Sequence, residues 1–317
     1  MTKIILDTDL NTDCGDAGAL ALLHALADAG EAQILGIGVS VSNPDSPAAV
    51  KAINAFYGRA ALPIGQYAGS QPMESEGHAF VRAVRDTLAS PPAGPWPNTT
   101  SVYRSLLAAE SEGNVTFVAI GFHNTLLQLL NSDPDDASDL NGQDLVAQTV
   151  RELVVMGGQY PDSSTITTLN GAEYNFHRAS QATAVVCDSW PSPIVFTGFE
   201  VGDTILAGRR LVRDTPQNNP VRVAYEAYGY PNGRSAWDET AVIYAVRGAV
   251  ACGTRLFSLV QGRNTVNPGT GSNVFQPGGG PHAYLVKTLL DEQYSVLFDE
   301  LQTCPPRLAG PMLEAAP

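Results

Sequence analysis

The chain alternates short apolar runs with longer segments whose apolar residues recur at helical spacing. The apolar runs predict buried β-strands at residues 3–6, 33–41, 115–119, 153–156 and 194–196. The periodic segments predict helices at residues 16–29, 46–57, 124–130, 179–187 and 237–250, and over most of the chain from residue 283. Such alternation is typical of the α/β class, with an open, mostly parallel, Rossmann-like sheet flanked by helices.

Two stretches do not follow either pattern. Residues 90–100 are rich in proline, and residues 262–281 are rich in glycine, so both are predicted to be long loops. No internal repeat and no low-complexity linker divides the chain. We therefore expect a single domain over residues 1–317.

The charge balance excludes some classes of partner. The chain has 32 acidic residues against 18 Lys and Arg, for a formal net charge of −14. Without a basic surface, binding to nucleic acid or to an anionic membrane is not expected. No apolar run is long enough to span a membrane, no signal peptide precedes the first strand, and the four cysteines lack metal-site spacing. These features predict reduced thiols and a cytoplasmic location.

Polar residues follow each predicted strand at its carboxyl end. Four carboxylates, Asp7, Asp9, Asp13 and Asp16, occur within ten positions after the first strand. Ligands of open α/β sheets bind at this edge, and carboxylates packed so closely repel one another unless protons or a cation intervene. Because a hard divalent cation with oxygen ligands would relieve the repulsion, the sequence predicts a cation site.

Taken together, the motifs resemble those of the nucleoside hydrolase family (nucleoside N-ribohydrolases). The segment 7–16 resembles the family's DxDxGxDD signature before an alanine-rich helix. Collinear matches follow at residues 42–43 (Gly-Asn in the family), 118–124 (VPTGPLTN), 155–158 (MGG), 172–175 (AEFN or AEWN) and 236–238 (an HD or WD pair). The resemblance covers residues 3 to about 250, and its strength lies in the order of the motifs.

The resemblance implies Ca²⁺-dependent hydrolysis of the N-glycosidic bond of ribonucleosides. The implied Ca²⁺ ligands are Asp9, Asp16, Asp238 and the backbone carbonyl of Ile120. Asp9 would also be the general base that takes the proton of the attacking water. The family further implies a role in purine salvage and a homodimer or homotetramer.

The resemblance also implies which residues bind the substrate. Asn170, Glu173 and Asn175 would contact the ribose, and Asn43 would support the ribose or a metal-bound acid. His78 lies where family members often carry a histidine that faces the base, although a solvated surface histidine is an equally good interpretation.

Trp237 indicates how the base would be activated. Members that prefer inosine and uridine have a histidine at this place, whereas Trp237 resembles the purine-specific branch, in which a tryptophan stacks on the purine. An indole N–H donates hydrogen bonds but is not an acid at neutral pH, so stacking would replace proton donation. The alternative is that Trp237 is a large core residue.

Gly15 is the main departure from the family pattern. The family has two adjacent acids before the helix, whereas this chain has Gly15-Asp16. Asp13 keeps the family's four-residue spacing from Asp9 and is the expected substitute contact to the ribose. The alternative is that the contact is lost, which would affect substrate affinity or ribose preference.

Other functions were weighed against the hydrolase. A phosphotransferase of the haloacid dehalogenase type also begins with DxD, but it requires a lysine motif that neither Lys51 nor Lys287 provides. A non-catalytic, Ca²⁺-dependent binder of ribose or nucleosides on the same scaffold remains the principal alternative. A hydrolase of a modified nucleoside is the other.

Overall fold

The computed structural model describes residues 1–166 and 169–307. The expected domain over 1–317 extends into residues 308–317, which lie outside the described part. The strands are β1 (Thr2–Thr8), β2 (Ala32–Val39), β3 (Ile64–Gln66), β4 (Val115–Ala119), β5 (Val150–Met156), β6 (Ile194–Thr197), β7 (Leu206–Ala207), β8 (Arg234–Ser235), β9 (Val250–Ala251), β10 (Thr254–Arg255), β11 (Phe257–Val266), β12 (Asn273–Pro277) and β13 (His282–Lys287).

Helices connect most of these strands. They are α1 (Gly15–Asp28), α2 (Ser46–Phe56), α3 (Ala79–Arg85), α4 (Thr99–Ala108), α5 (Asn124–Leu130), α6 (Gly142–Thr149), α7 (Tyr174–Arg178), α8 (Ser180–Ser189), α9 (Phe199–Gly202), α10 (Leu211–Asp214), α11 (Pro220–Tyr228), α12 (Trp237–Arg247) and α13 (Asp291–Gln302). Among the described residues, no helix has both the length and the apolar composition needed to cross a membrane.

A nine-stranded sheet forms the centre of the molecule, in the order β12-β11-β13-β6-β5-β4-β1-β2-β3. The strands from β13 to β3 run parallel, and β11 pairs antiparallel with both of its neighbours. The predicted α/β fold with a mostly parallel sheet is therefore confirmed. The parallel strands bring their carboxyl ends to one edge of the sheet.

Strand β1 shows why the sheet is covered on both faces. Ile4 and Leu6 pack into one hydrophobic cluster, whereas Ile5, between them, packs into the other. Side chains alternate between the two faces of a strand, so a continuous apolar run requires a core on each side. Helix α1 lies in the first of these cores, where it packs against α12 and α13.

Two predictions about the C-terminal third were wrong. The segment from residue 283 begins in strand β13, and within its described part, up to residue 307, only α13 is helical. The glycine-rich stretch 262–281 contains the second half of β11 and all of β12, which pair as an antiparallel hairpin. Glycine weakens a strand in isolation, but here the hairpin pairs with β13 and extends the sheet. The proline-rich loop before α4 agrees with the prediction.

Candidate active site

A cavity of about 360 Å³ opens at the carboxyl edge of the sheet. It is lined by residues from α1, α12 and the segments that follow β1, β4, β5 and β6, among others. The lining residues are Asp9, Thr12, Asp13, Asp16, His78, Ile120, Met156, Glu173, Tyr174, Asn175, Phe199, Tyr228, Arg234, Trp237 and Asp238. Most of the site residues proposed from sequence therefore meet in one cavity.

The end of β1 and the start of α1 place two of the carboxylates. Asp9 follows the last residue of β1, and Thr12 Oγ1 donates to Asp9 Oδ2 at 2.9 Å. Asp16 lies in the first turn of α1 and accepts a hydrogen bond from Thr8 Oγ1. The partial positive charge at a helix N-terminus favours a carboxylate there. Both side chains are buried.

Helix α12 supplies the third carboxylate. Trp237 is its first residue, and Asp238 and Glu239 lie in its first turn. Asp238 is buried at the cavity floor, and the packing of α12 on α1 brings it beside Asp16. Glu239 points away from the cavity, into a buried hydrogen bond with the Tyr225 hydroxyl at 3.1 Å.

The loop after β4 and helix α7 complete the floor. Asn175 Nδ2 donates to the carbonyl oxygens of Ile120 and Met156, at 3.2 Å each. The Ile120 N–H donates to the Asp7 carbonyl oxygen at 2.8 Å, which fixes this loop against the end of β1. These bonds bring the Ile120 carbonyl to the edge where the carboxylates lie.

The carboxylates of the floor raise one another's pKa values. Burial, together with the charge of Asp13, raises the pKa of Asp9 to about 7. Burial and the charge of Asp9 raise the pKa of Asp16 well above its usual range, and burial and Asp16 do the same to Asp238. A site in which three carboxylates resist ionisation is one that a proton or a cation would stabilise.

Asp13 lies in the cavity wall with both carboxylate oxygens engaged. Its Oδ1 accepts from the Gly15 N–H at 2.6 Å, and its Oδ2 accepts from Arg234 Nε at 2.8 Å and Nη2 at 2.5 Å. Because each oxygen already accepts at least one hydrogen bond, the arrangement favours the alternative in which the family's ribose contact is lost.

Gly15 does not leave a gap where the family has an acid. A Cβ at this position would lie 2.8 Å from Asp238 Oδ2 and 3.1 Å from Asp13 Oδ1. The carboxylate of Asp238 therefore occupies the space next to Gly15. A side chain at residue 15 would therefore require one of these two carboxylates to move.

Restoring the family's acid by Gly15→Asp is therefore expected to damage the protein. A third carboxylate between Asp13 and Asp238 adds both steric overlap and repulsion, so we expect a loss of about 1–3 kcal/mol in the free energy of unfolding. Urea unfolding checks this. Gly15→Ala adds the overlap without the charge, so its free energy of unfolding should lie between those of the wild type and Gly15→Asp. A more stable Gly15→Asp protein would contradict the steric account.

Glu173 has a structural role beside the cavity. Its Oε1 accepts from the Asn175 N–H at 2.9 Å, and its Oε2 accepts from the Phe176 and Gly158 N–H groups at 3.1 Å each. It therefore caps the N-terminus of α7 and ties this helix to the loop after β5. Burial nevertheless raises the pKa of Glu173 to about 7.

Aromatic side chains form one wall of the cavity. Trp237 stacks on Phe199 with ring centroids 5.3 Å apart, and its indole N–H donates to the Phe199 carbonyl oxygen at 2.9 Å. Tyr174 and Tyr228 also line the cavity. Trp237 is half-buried against the core and borders the cavity, so it combines features of both sequence interpretations.

Asn43 and Asn170 lie outside the cavity lining. Asn43 is buried and donates to Asn11 Oδ1 at 2.9 Å, and Asn11 Nδ2 in turn donates to the Glu76 carbonyl oxygen at 3.1 Å. Asn43 thus supports the loop that carries His78, which does reach the cavity. Asn170 is exposed and has a left-handed backbone, with a φ of 58°.

The sequence did not predict six of the lining residues, namely Thr12, Met156, Tyr174, Phe199, Tyr228 and Arg234. Two of them left a signal, because Tyr228 and Arg234 lie within nine residues before Trp237. His123, His177, His282 and Glu200 also flank the motifs, but they do not line this cavity. Each is bonded elsewhere: to Thr183 Oγ1, to the Thr270 carbonyl, to the Asn264 N–H and to the Tyr160 N–H, respectively.

Comparison with solved structures places this architecture among nucleoside hydrolases. An inosine-guanosine nucleoside hydrolase superposes with a TM-score of 0.73 at 17% identity, over 98% of this chain and 100% of that one. An inosine-uridine preferring nucleoside hydrolase from Bacillus anthracis gives 0.72 at 14% identity, over 96% and 99%. A purine-preferring ribonucleoside hydrolase from Gardnerella vaginalis gives 0.68 at 16% identity, over 97% and 100%.

At such identities, structural similarity establishes the fold alone. No curated protein sequence matches the chain. The family model described as inosine-uridine preferring nucleoside hydrolase, however, matches residues 4–289. This match spans β1 to the end of β13 and includes the carboxylates and aromatic wall of the cavity. The chain therefore belongs to the nucleoside hydrolase family, whose members are enzymes that hydrolyse the N-glycosidic bond of nucleosides.

Proposed function

We propose that the protein hydrolyses purine ribonucleosides to the free base and ribose, with Ca²⁺ as cofactor and Asp9 as general base. The observation that carries this proposal is the juxtaposition of three buried carboxylates, Asp9, Asp16 and Asp238, with an aromatic wall in one cavity. Carboxylates suit a cation and a polyhydroxylated sugar, whereas aromatic rings suit a planar base.

The donor set fits a hard cation in its chemistry. Asp9, Asp16 and Asp238, with the Ile120 carbonyl, offer only oxygen atoms, and their mutual repulsion is the feature that a bound cation would relieve. Among the described residues, no three His, Cys, Asp or Glu side chains are already arranged as a metal site.

Asp9 is suited to accept the proton of the attacking water. Thr12 fixes the orientation of its carboxylate, and a bound cation would favour the ionised form of Asp9 that can accept this proton. When bound, Ca²⁺ supplies a positive charge that lowers the pKa of water and orients the ribose hydroxyls. The water oxygen then bonds to C1′ as the glycosidic bond breaks through an oxocarbenium-like state.

The side chains around the floor position the two halves of the substrate. Asn175, whose Nδ2 is held by the Ile120 and Met156 carbonyl groups, directs its remaining amide oxygen to the ribose. Trp237 and Tyr228 bind the base, with His78 at the entrance of the cavity. The purine preference rests on the extent of this aromatic wall.

Release of ribose tests the proposal directly. The protein would be incubated with Ca²⁺ and, separately, with inosine, adenosine, guanosine, uridine and cytidine. We expect ribose from the purine nucleosides, at rates above those for uridine and cytidine. A preference for uridine would contradict purine recognition by the aromatic wall.

A non-catalytic binder of ribose or nucleosides is the second candidate. It is favoured by one observation: both oxygens of Asp13 are bonded to Gly15 or Arg234, which weakens an expected ribose contact. Calorimetric binding of ribose or inosine, without release of ribose from any of the five nucleosides, would select this function over the hydrolase.

The cation should also change how stability depends on pH. Because burial raises the pKa of Asp9 to about 7 from 3.8, the metal-free folded protein holds more protons than the unfolded chain between these values. The contribution of Asp9 to stability is therefore largest at low pH and is lost as the pH rises through about 7. We expect the melting temperature of chelator-treated protein to drop by about 5 °C or more between pH 5 and pH 8.

Adding Ca²⁺ is expected to restore the melting temperature. The increase should be larger at pH 8 than at pH 5, because ionised carboxylates bind Ca²⁺ more tightly. Thermal unfolding with and without Ca²⁺ at both pH values measures the effect, with Mg²⁺ as the control cation. A melting temperature that rises with pH in the chelator, or equal gains at both pH values, would contradict a cation at this site.

We further propose a cytoplasmic location, a role in purine salvage and a homodimeric or homotetrameric assembly. The location is supported by the thiols of Cys14, Cys187, Cys252 and Cys304, all of which are free. Size-exclusion chromatography with light scattering would determine the assembly.

A further inference from the structure

Arg234 brings a positive charge to the aromatic wall of the cavity. The carbon at the centre of its guanidinium lies 4.8 Å from the Tyr230 ring centroid, 5.0 Å from that of Trp237 and 5.8 Å from that of Tyr228. Among the described residues that line the cavity, it is the one Lys or Arg. It therefore lies where the base is expected to bind.

Asp13 holds this guanidinium in a fixed orientation. Nε and Nη2 both donate to Asp13 Oδ2, and Asp13 Oδ1 is in turn held by the Gly15 N–H at the start of α1. Within the described residues, Arg234 Nη1 makes no hydrogen bond. The side chain thus presents a preorganised N–H donor beside the rings.

The proposed reaction lacks an obvious acid for the leaving base. The electron pair of the C1′–N9 bond passes to N9, so the base departs with negative charge unless that charge is compensated. The Trp237 N–H is already bonded to the Phe199 carbonyl, and an indole is not an acid at neutral pH. His78 lines the cavity but is exposed to solvent.

We propose that Arg234 stabilises the negative charge that develops on the departing base, and that it thereby favours 6-oxopurine nucleosides. This inference rests on the proposed hydrolysis of purine nucleosides. O6 and N7 of such a purine are adjacent acceptors that match an arginine fork, and both take up part of the charge that appears on N9. The water proton goes to Asp9, and the departed base anion takes a proton from solvent.

The pairing with Asp13 argues against a phosphate as the group that Arg234 binds. The ion pair has nearly no net charge, and Asp9, Asp16 and Asp238 lie in the same cavity. A phosphate dianion would be repelled there, whereas a largely neutral base needs only the free N–H groups. The aromatic neighbours of Arg234 likewise suit a planar base.

Comparison of leaving groups tests the proposal. We would measure kcat and KM of the Ca²⁺-loaded protein for inosine, guanosine, adenosine, inosine 5′-monophosphate and p-nitrophenyl β-D-ribofuranoside. The nitrophenolate leaves readily without help, so its release does not need Arg234. We expect Arg234→Gln to lower kcat for inosine and guanosine by about 10²-fold, as when one charge-stabilising donor is removed, with a smaller loss for adenosine. For the nitrophenyl riboside, kcat should change by less than about fivefold.

Two further variants separate charge stabilisation from structural effects. The double variant Asp13→Asn, Arg234→Gln removes the carboxylate that Arg234→Gln alone leaves unpaired. Its kcat should again fall much more for inosine and guanosine than for the nitrophenyl riboside. His78→Gln tests the other candidate for activation of the base. Its kcat should not fall more for inosine and guanosine than for the nitrophenyl riboside. Melting temperatures of all variants would establish that they are folded.

Several outcomes would overturn the proposal. If Arg234→Gln lowers kcat equally for all substrates, the role of Arg234 is to hold Asp13 and the start of α1 in place. A loss confined to inosine 5′-monophosphate would assign it to phosphate binding, and a difference between leaving groups in His78→Gln alone would assign activation to His78. If the wild-type protein cleaves the nitrophenyl riboside but no nucleoside, the inference fails while glycosidase chemistry stands. If it cleaves none of the five, the proposed function itself fails.

Discussion

Replacing Asp9 by asparagine is expected to lower kcat for nucleoside hydrolysis by about 10⁴-fold. The amide cannot take the proton of the attacking water, and loss of a positioned general base alone costs about 10²–10⁴-fold. It also removes one of the charges that would hold the cation. Ribose release at saturating Ca²⁺ and substrate measures the effect.

The Asp9→Asn protein should remain folded. In the absence of a cation, its melting temperature at pH 8 should exceed that of the wild type, because one of several repelling carboxylates has been removed. Asp86→Asn is a suitable control, since this carboxylate is more than half exposed on the surface and should leave the rate unchanged. An Asp9→Asn protein within tenfold of the wild-type rate would exclude Asp9 as the general base.

Gly38→Ala is expected to destabilise the protein by about 3–5 kcal/mol. Gly38 lies opposite Asp7 in the pairing of β1 with β2, and a Cβ there would overlap the hydroxyl and ring of the buried Tyr103. Overpacking costs about 1–3 kcal/mol, and losing the Tyr103 hydrogen bond to the buried Asp7 carboxylate adds a similar amount. The midpoint and slope of urea unfolding give the change in the free energy of unfolding.

Gly279→Ala provides the matched comparison for Gly38→Ala. A Cβ at residue 279 would meet no atom within 4 Å, so this variant should change stability by less than about 0.5 kcal/mol. Similar midpoints for the two variants would mean that Tyr103 can move aside without cost. Because Tyr103 is bonded to Asp7, two residues before Asp9, Gly38→Ala should also reduce activity.

Much of the fold followed from local patterns. Strand β1 is a continuous apolar run, and its alternate residues pack into different cores, as expected for a central parallel strand. The hairpin of β11 and β12 was not predicted, because glycine is typical of loops and depleted in strands. Pairing with β13 decides its conformation, and that pairing is a contact between distant segments.

The candidate site likewise combines features that the sequence predicted with features that it did not. The sequence brought Asp9, Asp16 and Asp238 into one proposal through the resemblance of its motifs to those of nucleoside hydrolases, and acids that follow parallel strands are expected at the carboxyl edge of the sheet. It did not predict the bond between Asp13 and Arg234, which joins residues 221 positions apart.

The role of Gly15 was also decided by tertiary structure. In the sequence it marks a missing acid, whereas in the fold the carboxylate of Asp238 fills the space beside it. The physical reason is the same for Gly15 and for the Asp13–Arg234 pair. Periodicity and spacing report which element a residue belongs to and where that element ends. The partner of a side chain depends on how α12 packs on α1, and no local pattern encodes that packing.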